Sequence, residues 1–307
     1  MIGAILTGGY GRRMQGVSSN LPKNFLPLRD DYLILDRQLR DFRVAGIGKV
    51  YLLTGFKGEI IEKRYGKKWK ETEIEYLKED VPMGTLWSLR NLFDHTQEDV
   101  ILRNGDTVCD LDIRDLIEFH GRKGMKATML VVKMISPYGI VTLKGDSVTS
   151  FVEKPILKHY INAGLYYLSR ETEQYLSDNF TGKDLETTVF SRMALEGEIA
   201  ALKYDGFWKS VDSLKDYEEI KSLYSRREDY DFGFVEDEGA IKIYTILRGK
   251  SVVFDGRGKI ELLRGNIMVD GTLQKVGKEV EVRGAVSIQS LNESSIEVSG
   301  EIRVKSA

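Results

Sequence analysis

The sequence contains little cysteine, proline and histidine. Its 307 residues include one cysteine, five prolines and three histidines. The single cysteine, Cys109, excludes an internal disulfide and is typical of proteins from reducing compartments, so we expect a cytoplasmic location. The histidines have no metal-ligand spacing. None follows His159, which argues against a histidine-dependent acyltransferase site in the C-terminal part.

Excess charge of one sign and long apolar runs are missing as well. The 45 basic and 47 acidic residues nearly cancel, so the charge balance suggests neither nucleic acid nor a membrane surface as a partner. The first apolar run, Ile2–Leu6, is far shorter than the roughly 18 residues that span a bilayer. We therefore expect neither a targeting segment nor a membrane span there.

Short apolar runs alternate with amphipathic stretches of about ten residues over most of the chain. The predicted strands are residues 2–6, 49–54, 73–77, 100–103, 127–132 and 162–168, and the main predicted helices are residues 33–44, 58–65, 85–93, 113–123 and 213–224. This alternation predicts an α/β fold, with a Rossmann-like, mostly parallel sheet flanked by helices.

A different pattern begins near residue 239. β-Rich segments there are separated by single glycines, and Gly271, Gly284 and Gly300 recur at unequal steps in V-x-G-x-apolar units. We predict a small all-β C-terminal domain, either a short β-solenoid or a β-sandwich. The charged run 225–231 is interpreted as a linker, so the predicted domains are residues 1–228 and 229–307. By elimination, the smaller domain is expected to be structural, either mediating homo-oligomer formation or covering part of the main domain.

The first strand runs into a glycine-rich loop followed by basic residues. These residues are Gly8, Gly9, Gly11, Arg12, Arg13 and Lys23. Glycine lets a ligand approach the backbone, so N–H groups can face an anion, and the basic side chains supply charge for a polyphosphate. A dinucleotide-binding fingerprint would need a glycine where Met14 stands. Because ligands bind beyond the carboxyl ends of parallel strands, we expect this loop to lie near Asp106, which follows another strand.

The sequence TGGYGRRM, followed by LPKNFLPL, resembles the AGGxGxRL and PKPMLPL signature of sugar-1-phosphate nucleotidyltransferases. Molybdenum-cofactor nucleotidyltransferases share the opening, but their lysine follows almost at once, whereas Lys23 lies nine positions beyond Met14. Further motifs match in the same order: PMGT at 82–85, NGD at 104–106, YG at 138–139, FVEKP at 151–155, INAG at 161–164 and GFWKSVDSLKDY at 206–217. The resemblance covers roughly residues 1–223.

The resemblance implies a nucleotide-diphospho-sugar transferase type of fold and Mg²⁺-dependent attack of a sugar-1-phosphate on the α-phosphate of a nucleoside triphosphate. It implies catalytic roles for Arg13, Lys23 and Asp106, nucleotide binding by Leu6, Gly8, Gly9, Gly11, Arg12, Gly84 and Thr85, sugar-phosphate binding by Gly139, Glu153, Lys154 and Asn162, and metal binding by Asp106 and Asp212. Two phosphate-bearing substrates repel each other, so positioning and charge neutralisation are what this reaction needs.

The resemblance leaves substrate identity open. The N-terminal half and the INAG segment are similar to hexose and heptose guanylyltransferases, whereas GFWKSVDSLKDY is more similar to glucose-1-phosphate cytidylyltransferases. We rank GTP and CTP level, ahead of dTTP and UTP, and leave the sugar unassigned. The alternative function is a catalytically idle regulatory or assembly subunit. The presence of both Asp106 and Asp212 argues against it, since a binding-only relative would not need two metal carboxylates.

Overall fold

The computed structural model describes residues 1–8, 21–55, 57–79, 81, 83–176 and 182–306. They fall into two units, one of Met1–Leu26 with Leu33–Asp216 and the other of Pro27–Tyr32 with Tyr217–Ala307. The predicted domain boundary between residues 228 and 229 stays a prediction. Within the described part of the chain, no helix is long and apolar enough to cross a membrane.

Strands and helices alternate through the first unit, and strands dominate the second. The strands are β1 (Ile2–Leu6), β2 (Pro27–Arg29), β3 (Tyr32–Leu33), β4 (Lys49–Thr54), β5 (Lys68–Trp69), β6 (Thr72–Lys78), β7 (Val100–Asn104), β8 (Thr107–Cys109), β9 (Ala127–Ile135), β10 (Ile140–Lys144), β11 (Ser147–Val152), β12 (Ile156–Leu168), β13 (Ile199–Tyr204), β14 (Trp208–Ser210), β15 (Arg227–Tyr230), β16 (Gly233–Asp237), β17 (Ile241–Ile246), β18 (Ser251–Arg264), β19 (Ile267–Val269), β20 (Thr272–Leu273), β21 (Glu279–Ser290) and β22 (Ser294–Ser306). The helices are α1 (Ile34–Val44), α2 (Gly58–Tyr65), α3 (Thr85–His95), α4 (Ile113–Lys123), α5 (Glu173–Leu176), α6 (Ser191–Leu195) and α7 (Leu214–Tyr224), with short 3₁₀ turns at Lys23–Phe25 and Arg170–Thr172 and a π-helical turn at Glu186–Phe190.

The first unit is built on an eight-stranded sheet with the order β13-β9-β12-β7-β1-β4-β6-β5. The strands β7, β1, β4 and β6 run parallel, as does β13 beside β9, while β12 and β5 are antiparallel to their neighbours. The prediction of a mostly parallel α/β sheet is confirmed. Leu6 of β1 lies in register with Asn104 of β7. The carboxyl ends of these two strands therefore meet, as expected for the glycine loop and Asp106.

Strand β1 is buried on both faces of the sheet. Ile5 belongs to one hydrophobic cluster, and Ile2 and Ala4 belong to the other, because successive strand residues point to opposite faces. On the Ile5 side, Gly3 leaves room for Phe42 of α1, since a Cβ at Gly3 would lie 2.9 Å from the Phe42 ring. Each fully buried large apolar side chain contributes about 1.5–3 kcal/mol. Two-sided burial thus holds the strand that leads into the candidate site.

A separate antiparallel hairpin, β10 with β11, lies between β9 and β12 in the chain. Thr142 faces Ser150 and the next pair is Leu143 with Val148, so Thr149 is an extra residue that forms a β-bulge. The hydroxyl of Thr149 donates a hydrogen bond of 3.1 Å to the carbonyl of Thr142. This bond fixes the shifted register beyond the bulge.

The second unit contains an eight-stranded antiparallel sheet with the order β15-β16-β17-β22-β18-β21-β19-β20. The prediction of an all-β C-terminal part is confirmed. Its strands pair antiparallel throughout the described residues, which differs from the parallel coils of a β-solenoid. Gly258 of β18 faces Gly300 of β22, and a Cβ at Gly258 would lie 2.0 Å from the carbonyl oxygen of Ser299. These glycines thus allow close approach of neighbouring strands.

The predicted linker at 225–231 is mostly a strand. Residues Arg227–Tyr230 form β15, which pairs with β16. The side chains of Arg227 and Asp229 form an ion pair of 3.2 Å and are each about 1% exposed. The linker prediction assumed that the charged side chains of this run face water. Instead, Arg227 and Asp229 pair with each other and are buried, which allows the run to form a strand of the sheet.

Candidate active site

Lys23 lies between two carboxylates at the sheet edge where β1 and β7 end. Its Nζ donates one hydrogen bond to Oδ2 of Asp106 and one to Oδ1 of Asp212, each of 3.0 Å. Lys23 opens the short turn Lys23–Phe25, in which the N–H of Phe25 donates to the carbonyl of Pro22 at 2.9 Å. Two aspartates from distant parts of the sequence therefore share one ammonium group.

The turn that carries Asp106 is tied directly to the end of β1. The N–H of Gly105 donates to the carbonyl of Leu6 at 3.0 Å. A Cβ at Gly105 would lie 2.4 Å from that same oxygen, so only glycine fits here without displacing the backbone. Asp106 is thereby held beside the start of the glycine loop.

Polar residues of α1, absent from the sequence prediction, support the same turn. The fully buried amide of Gln38 donates to the carbonyls of Asn104 at 3.0 Å and Thr107 at 2.9 Å. Gln38 lies three residues after Leu35 and four before Phe42, so it shares a helix face with two core residues. A glutamine on an apolar helix face was therefore the sequence feature that could have indicated a buried hydrogen-bond donor.

A buried ion pair supports β7 from the same helix. Arg103 is about 1% exposed and its guanidinium donates to Asp41 of α1 at 3.0 Å. Burying charges is costly unless they are paired and hydrogen-bonded, and breaking such a pair is destabilising. Arg103 is therefore assigned to positioning the end of the strand.

Asp212 reaches the cluster through β14, which pairs antiparallel with β8 just after Asp106. The N–H of Val211 donates to the carbonyl of Asp106 at 2.8 Å. The hydroxyl of Ser210 donates to Oδ2 of Asp212 at 2.8 Å, which leaves Oδ1 toward Lys23. Trp208 anchors the same strand, because its indole N–H donates to the carbonyl of Ala163 at 2.8 Å.

The charges of the cluster stabilise one another. Burial acts to lower the pKa of Lys23, but the charge of Asp106 and hydrogen bonds to both aspartates outweigh it and raise the pKa. Burial acts to raise the pKa of Asp212, but the hydrogen bonds from Lys23 and Ser210 hold it below its ordinary value. At neutral pH the cluster therefore contains a protonated lysine and an ionised Asp212.

The predicted sugar-side residue Asn162 lies on β12, next to β7. Its Oδ1 accepts from the N–H of Gly164 at 2.9 Å, and its Nδ2 donates to the hydroxyl of Tyr166 at 2.6 Å. Gly164 has φ of +68°, and a Cβ there would lie 2.7 Å from Nδ2 of Asn104. The INAG and NGD segments thus touch, and the amide of Asn162 already has local partners.

Glu153 and Lys154 lie in the exposed connection between β11 and β12. Lys154 has a positive φ of +47°, which is uncommon for a residue other than glycine. A Cβ at Gly139 would lie 2.5 Å from the ring of Phe151 and 2.9 Å from Oε2 of Glu153. The structure therefore brings the YG and FVEKP motifs together, and it shows no hydrogen bond between them and the described carboxylate cluster.

Gly84 and Thr85 begin α3 and contact a later segment. Gly84 has φ of +93°, and a Cβ there would lie 2.5 Å from the carbonyl oxygen of Lys183. The N–H of Leu86 donates to that same carbonyl at 2.9 Å, and the hydroxyl of Thr85 accepts from the N–H of Leu185 at 3.0 Å. Gly84 and Thr85 of the PMGT motif are thus fixed against residues 183–185, a contact that sequence analysis did not predict.

The predicted glycine loop is described only at its start. Leu6 ends β1, and a Cβ at Gly8 would lie 3.5 Å from the backbone nitrogen of Gly55, which is ordinary contact. The other predicted loop residues, Gly9, Gly11, Arg12 and Arg13, lie outside the described residues.

Comparison with known proteins agrees with this geometry. The sequence model of the family described as nucleotidyl transferase matches residues 2–227, which contain every residue of the cluster. The chain belongs to the nucleotidyl transferase family. The resemblance drawn from the motifs is confirmed.

Relatives of this chain include mannose-1-phosphate guanylyltransferases. The catalytic subunit beta of Danio rerio is 31% identical over 69% of this chain and 61% of its own length. The beta-B protein of Xenopus laevis is 30% identical over the same shares. The catalytic subunit beta of Drosophila pseudoobscura pseudoobscura is 28% identical over 87% of this chain and 68% of its own length. The chain spans about three fifths of the length of the first two relatives.

Solved structures show the same fold. A UDP-glucose pyrophosphorylase complexed with UDP-glucose matches with a TM-score of 0.59 and 16% identity, covering 73% of this chain and 99% of that one. HddC from Yersinia pseudotuberculosis matches with a TM-score of 0.55 and 23% identity, covering 72% and 99%. At these identities the likeness concerns the fold alone.

The donor set of this nucleotidyl transferase is compatible with a divalent cation. Asp106 and Asp212 already share one positive group, the ammonium of Lys23. Among the described residues no cluster of three or more His, Cys, Asp or Glu side chains could hold a metal by itself. Mg²⁺ commonly takes one or two protein carboxylates and completes its shell with substrate phosphates and water. Two aspartates therefore suffice.

Proposed function

We propose that this chain is a sugar-1-phosphate nucleotidyltransferase. The observation that carries the proposal is the cluster of Lys23, Asp106 and Asp212 at the strand ends of a nucleotidyl transferase fold. In the reaction, an oxygen of the sugar phosphate forms a bond to the α-phosphorus of a nucleoside triphosphate. The bond from that phosphorus to the bridging oxygen breaks, and pyrophosphate leaves with the electron pair. Positioning and charge neutralisation carry such a step.

The basic residues would bind the triphosphate. Lys23 offers a protonated ammonium where β1 ends, and Arg13 lies between β1 and Lys23 in the sequence. We assign both to the triphosphate and Arg13 also to the departing pyrophosphate, because guanidinium groups bind phosphate oxygens bidentately. The backbone of the loop, including Gly8, Gly9 and Gly11, would donate N–H groups to the same anion.

Asp106 and Asp212 would hold Mg²⁺. When bound, the ion neutralises phosphate charge and so allows two anionic substrates to approach. The supporting features are the two neighbouring carboxylates and the hydrogen bond of Ser210, which orients Asp212. The pKa of Asp212 is held low, so this carboxylate is ionised and able to bind a cation at neutral pH.

The sugar phosphate would bind beside β12. Lys154 is assigned to the phosphate, and Glu153 and Asn162 to sugar hydroxyl groups. Contact of Gly139 with Glu153, and of Gly164 with Asn104, supports a continuous surface from the hairpin connection to the turn of Asp106. Asn162 would need to exchange one of its present partners, Gly164 or Tyr166, for a sugar hydroxyl.

GTP and mannose-1-phosphate are the first substrate pair to test. The names of the relatives favour guanylyl transfer over the CTP alternative. CTP stays second because of the segment GFWKSVDSLKDY. We further propose a cytoplasmic location, supported by the single buried cysteine, and keep homo-oligomer formation through the C-terminal β domain as a prediction.

The test is pyrophosphate release across a matrix of five nucleoside triphosphates and common sugar-1-phosphates with Mg²⁺. We expect the highest rate with GTP and mannose-1-phosphate. Asp106→Asn should abolish release while GTP still raises the melting temperature without metal. The exposed Asp205 pairs with Lys133 away from the cluster, so Asp205→Asn is the control for loss of one charge. Wild-type release by Asp106→Asn would refute the metal assignment. A folded protein with no release in any mixture would favour the idle-subunit alternative.

A further inference from the structure

A cluster of buried charged side chains joins helix α1 to strands β7 and β8. Helix α1 supplies Arg37, Arg40 and Asp41, and β7 supplies Arg103, and none of the four is more than 7% exposed. Asp110 directly follows β8, and its side chain is 10% exposed. We name these five residues the arginine cluster. Three guanidinium groups and two carboxylates are thus almost completely removed from water, and buried charge is costly unless it is paired.

Asp41 is the centre of the arginine cluster. Its Oδ1 forms an ion pair with Arg37 and accepts a hydrogen bond of 3.2 Å from Arg40. Its Oδ2 accepts a hydrogen bond of 3.0 Å from Arg103. Bonds between a guanidinium and a carboxylate are strong, and the planar fork of arginine fixes their direction. Through this one carboxylate, the position of Arg37 is tied to that of Arg103.

The two tied arginines hold β8 at both of its ends. Arg103 donates to the carbonyl of Thr107, the first residue of this strand, at 3.4 Å. Arg37 donates to the carbonyl of Cys109, the last residue, at 3.2 Å and to Oδ1 of Asp110 at 3.1 Å. Because β8 begins one residue after the first metal carboxylate, the arginine cluster fixes the backbone that carries it.

Strand β8 also determines where the second carboxylate lies. It pairs antiparallel with β14, so that Thr107 faces Ser210, whose hydroxyl donates to Asp212 at 2.8 Å. The N–H of Asp110 donates to the carbonyl of Phe207, just before β14, at 3.0 Å. A shift of β8 would therefore displace both carboxylates of the candidate site.

Stability alone does not explain the arginine cluster. Replacing buried ion pairs by well-packed apolar residues often leaves a protein equally stable or more stable. Apolar side chains of similar size would fill the same space, but they would not bind the carbonyls of Thr107 and Cys109. A site for a cation, by contrast, needs carboxylates that are held in place by a surrounding shell of hydrogen bonds.

We propose that Asp41 and Arg37 are positioning residues, which set the separation of Asp106 and Asp212 through strand β8. The inference rests on the proposed function, because that function assigns the two aspartates to Mg²⁺. Loss of the Asp41 charge would release both arginines from each other. The two aspartates would then lose the spacing at which the single ammonium of Lys23 binds both.

Acylation of Lys23 measures this spacing without turnover and without metal. An ammonium that donates to two carboxylates is protected, because only the neutral amine attacks an acylating reagent. Asp41→Asn keeps the shape of the side chain but removes its charge. It should raise the rate at which acetic anhydride modifies Lys23 by about 5-fold or more, since a lost carboxylate contact lowers the pKa of the ammonium. Mass spectrometry gives this rate relative to Lys259, an exposed lysine of the second unit.

Cys109 distinguishes a shift of β8 from local unfolding. Its thiol is buried at the end of the strand, so it reacts only when the strand opens. We expect Cys109 to stay unreactive in Asp41→Asn under the conditions in which Lys23 becomes reactive. If both groups become reactive together, the arginine cluster merely stabilises the fold, and the proposal is wrong.

Arg37→Lys is the second variant, and it serves alone if Asp41→Asn does not fold. Lysine keeps the positive charge beside Asp41 but lacks the fork with which Arg37 also reaches Cys109 and Asp110. Acylation of Lys23 should therefore rise in this variant too. Wild-type acylation rates in the folded variants would overturn the proposal.

The matched control lies in the second unit. Asp229→Asn breaks another almost fully buried ion pair, that of Asp229 with Arg227. It should lower the melting temperature as Asp41→Asn does and leave the acylation of Lys23 unchanged. A control that raises the acylation of Lys23 equally would show that lost stability is the cause, and the proposal would fail.

Kinetics separate this proposal from the proposed function. Asp41→Asn should lower kcat for pyrophosphate release by about 10-fold or more and change KM for GTP little, since outer groups that orient metal ligands typically contribute 10–100-fold. An unchanged kcat in a variant whose Lys23 has become reactive would overturn the positioning role. Wild type without any release would refute the proposed function instead, and the acylation of Lys23 would still decide whether Asp41 positions the carboxylates.

Discussion

Replacement of Lys23 by methionine tests the carboxylate cluster directly. Methionine keeps most of the unbranched stem but removes the ammonium that donates to Asp106 and Asp212 at 3.0 Å each. The two carboxylates would then lack their shared cation. We expect Lys23→Met to bind Mg²⁺ or Mn²⁺ more tightly than wild type in the absence of nucleotide, because the metal no longer competes with the ammonium.

The size of the effect follows from the exposure of the three groups. Lys23 is 17% exposed, Asp106 30% and Asp212 54%, so both pairs are partly screened by water. Exposed ion pairs contribute about 0.2–1 kcal/mol each, and less exposed pairs contribute more. We therefore expect the two pairs together to be worth about 1–2 kcal/mol, which corresponds to roughly a 5- to 30-fold increase in metal affinity.

Isothermal titration of the nucleotide-free protein with Mn²⁺ measures this change. Lys133 is the matched control, because it forms an ion pair of 3.0 Å with the exposed Asp205. Lys133→Met should leave metal affinity unchanged. Equal or weaker metal binding by Lys23→Met would refute the argument that the ammonium occupies the cation position. The same variant should bind GTP less tightly than wild type.

Three further outcomes are expected. Gln38→Leu should lower the free energy of unfolding by about 1–2 kcal/mol in urea titrations, because it removes two hydrogen bonds from the 104–107 turn, while the carbonyls of Asn104 and Thr107 keep weaker donors in Thr107 and Arg103. Burial acts to raise the pKa of Asp212, but the hydrogen bonds from Lys23 and Ser210 outweigh it and hold the pKa low. The ionised carboxylate therefore stabilises the fold above about pH 4, and this stabilisation is lost as the pH falls through the lowered pKa. Melting temperatures measured toward acid should therefore decline less steeply for Asp212→Asn than for wild type. Burial raises the pKa of Cys109 to about 11, so a thiol reagent near neutral pH should label it only after unfolding.

The central sheet could be predicted from the sequence because each of its strands is indicated by a short run of neighbouring residues. Runs such as residues 2–6 and 100–104 are apolar enough to be buried strands, and the alternation with helices implies parallel neighbours. The meeting of the first loop with Asp106 follows from that topology alone. Asp212 was different. It reaches Asp106 through the pairing of β14 with β8, about a hundred residues apart, which periodicity cannot reveal. The family motif was what identified it.

The support for the site could not be predicted in the same way. Helix α1 was expected from its apolar spacing, but Gln38 and Asp41 on its buried side bind the turn and strand of Asp106. Periodicity predicts which residues are buried and says nothing about which backbone carbonyls need donors. The glycines of the C-terminal part could not be interpreted from the sequence either. Glycine occurs both in turns and where two strands approach closely, and Gly258 opposite Gly300 is an example of close approach.

The position of Lys23 has a consequence for the order of events in the proposed reaction. One ammonium has three N–H donors, and two of them already bind Asp106 and Asp212. One N–H therefore remains for a triphosphate oxygen. Any second contact of Lys23 with phosphate takes an N–H away from one of the aspartates, and that carboxylate is then left with unbalanced negative charge. Entry of nucleotide and entry of a cation should therefore favour each other, since the first removes the competitor of the second. Coupled binding of this kind is reciprocal, so GTP should raise metal affinity in wild type by the same factor that the metal raises GTP affinity, and Lys23→Met should lose most of that coupling.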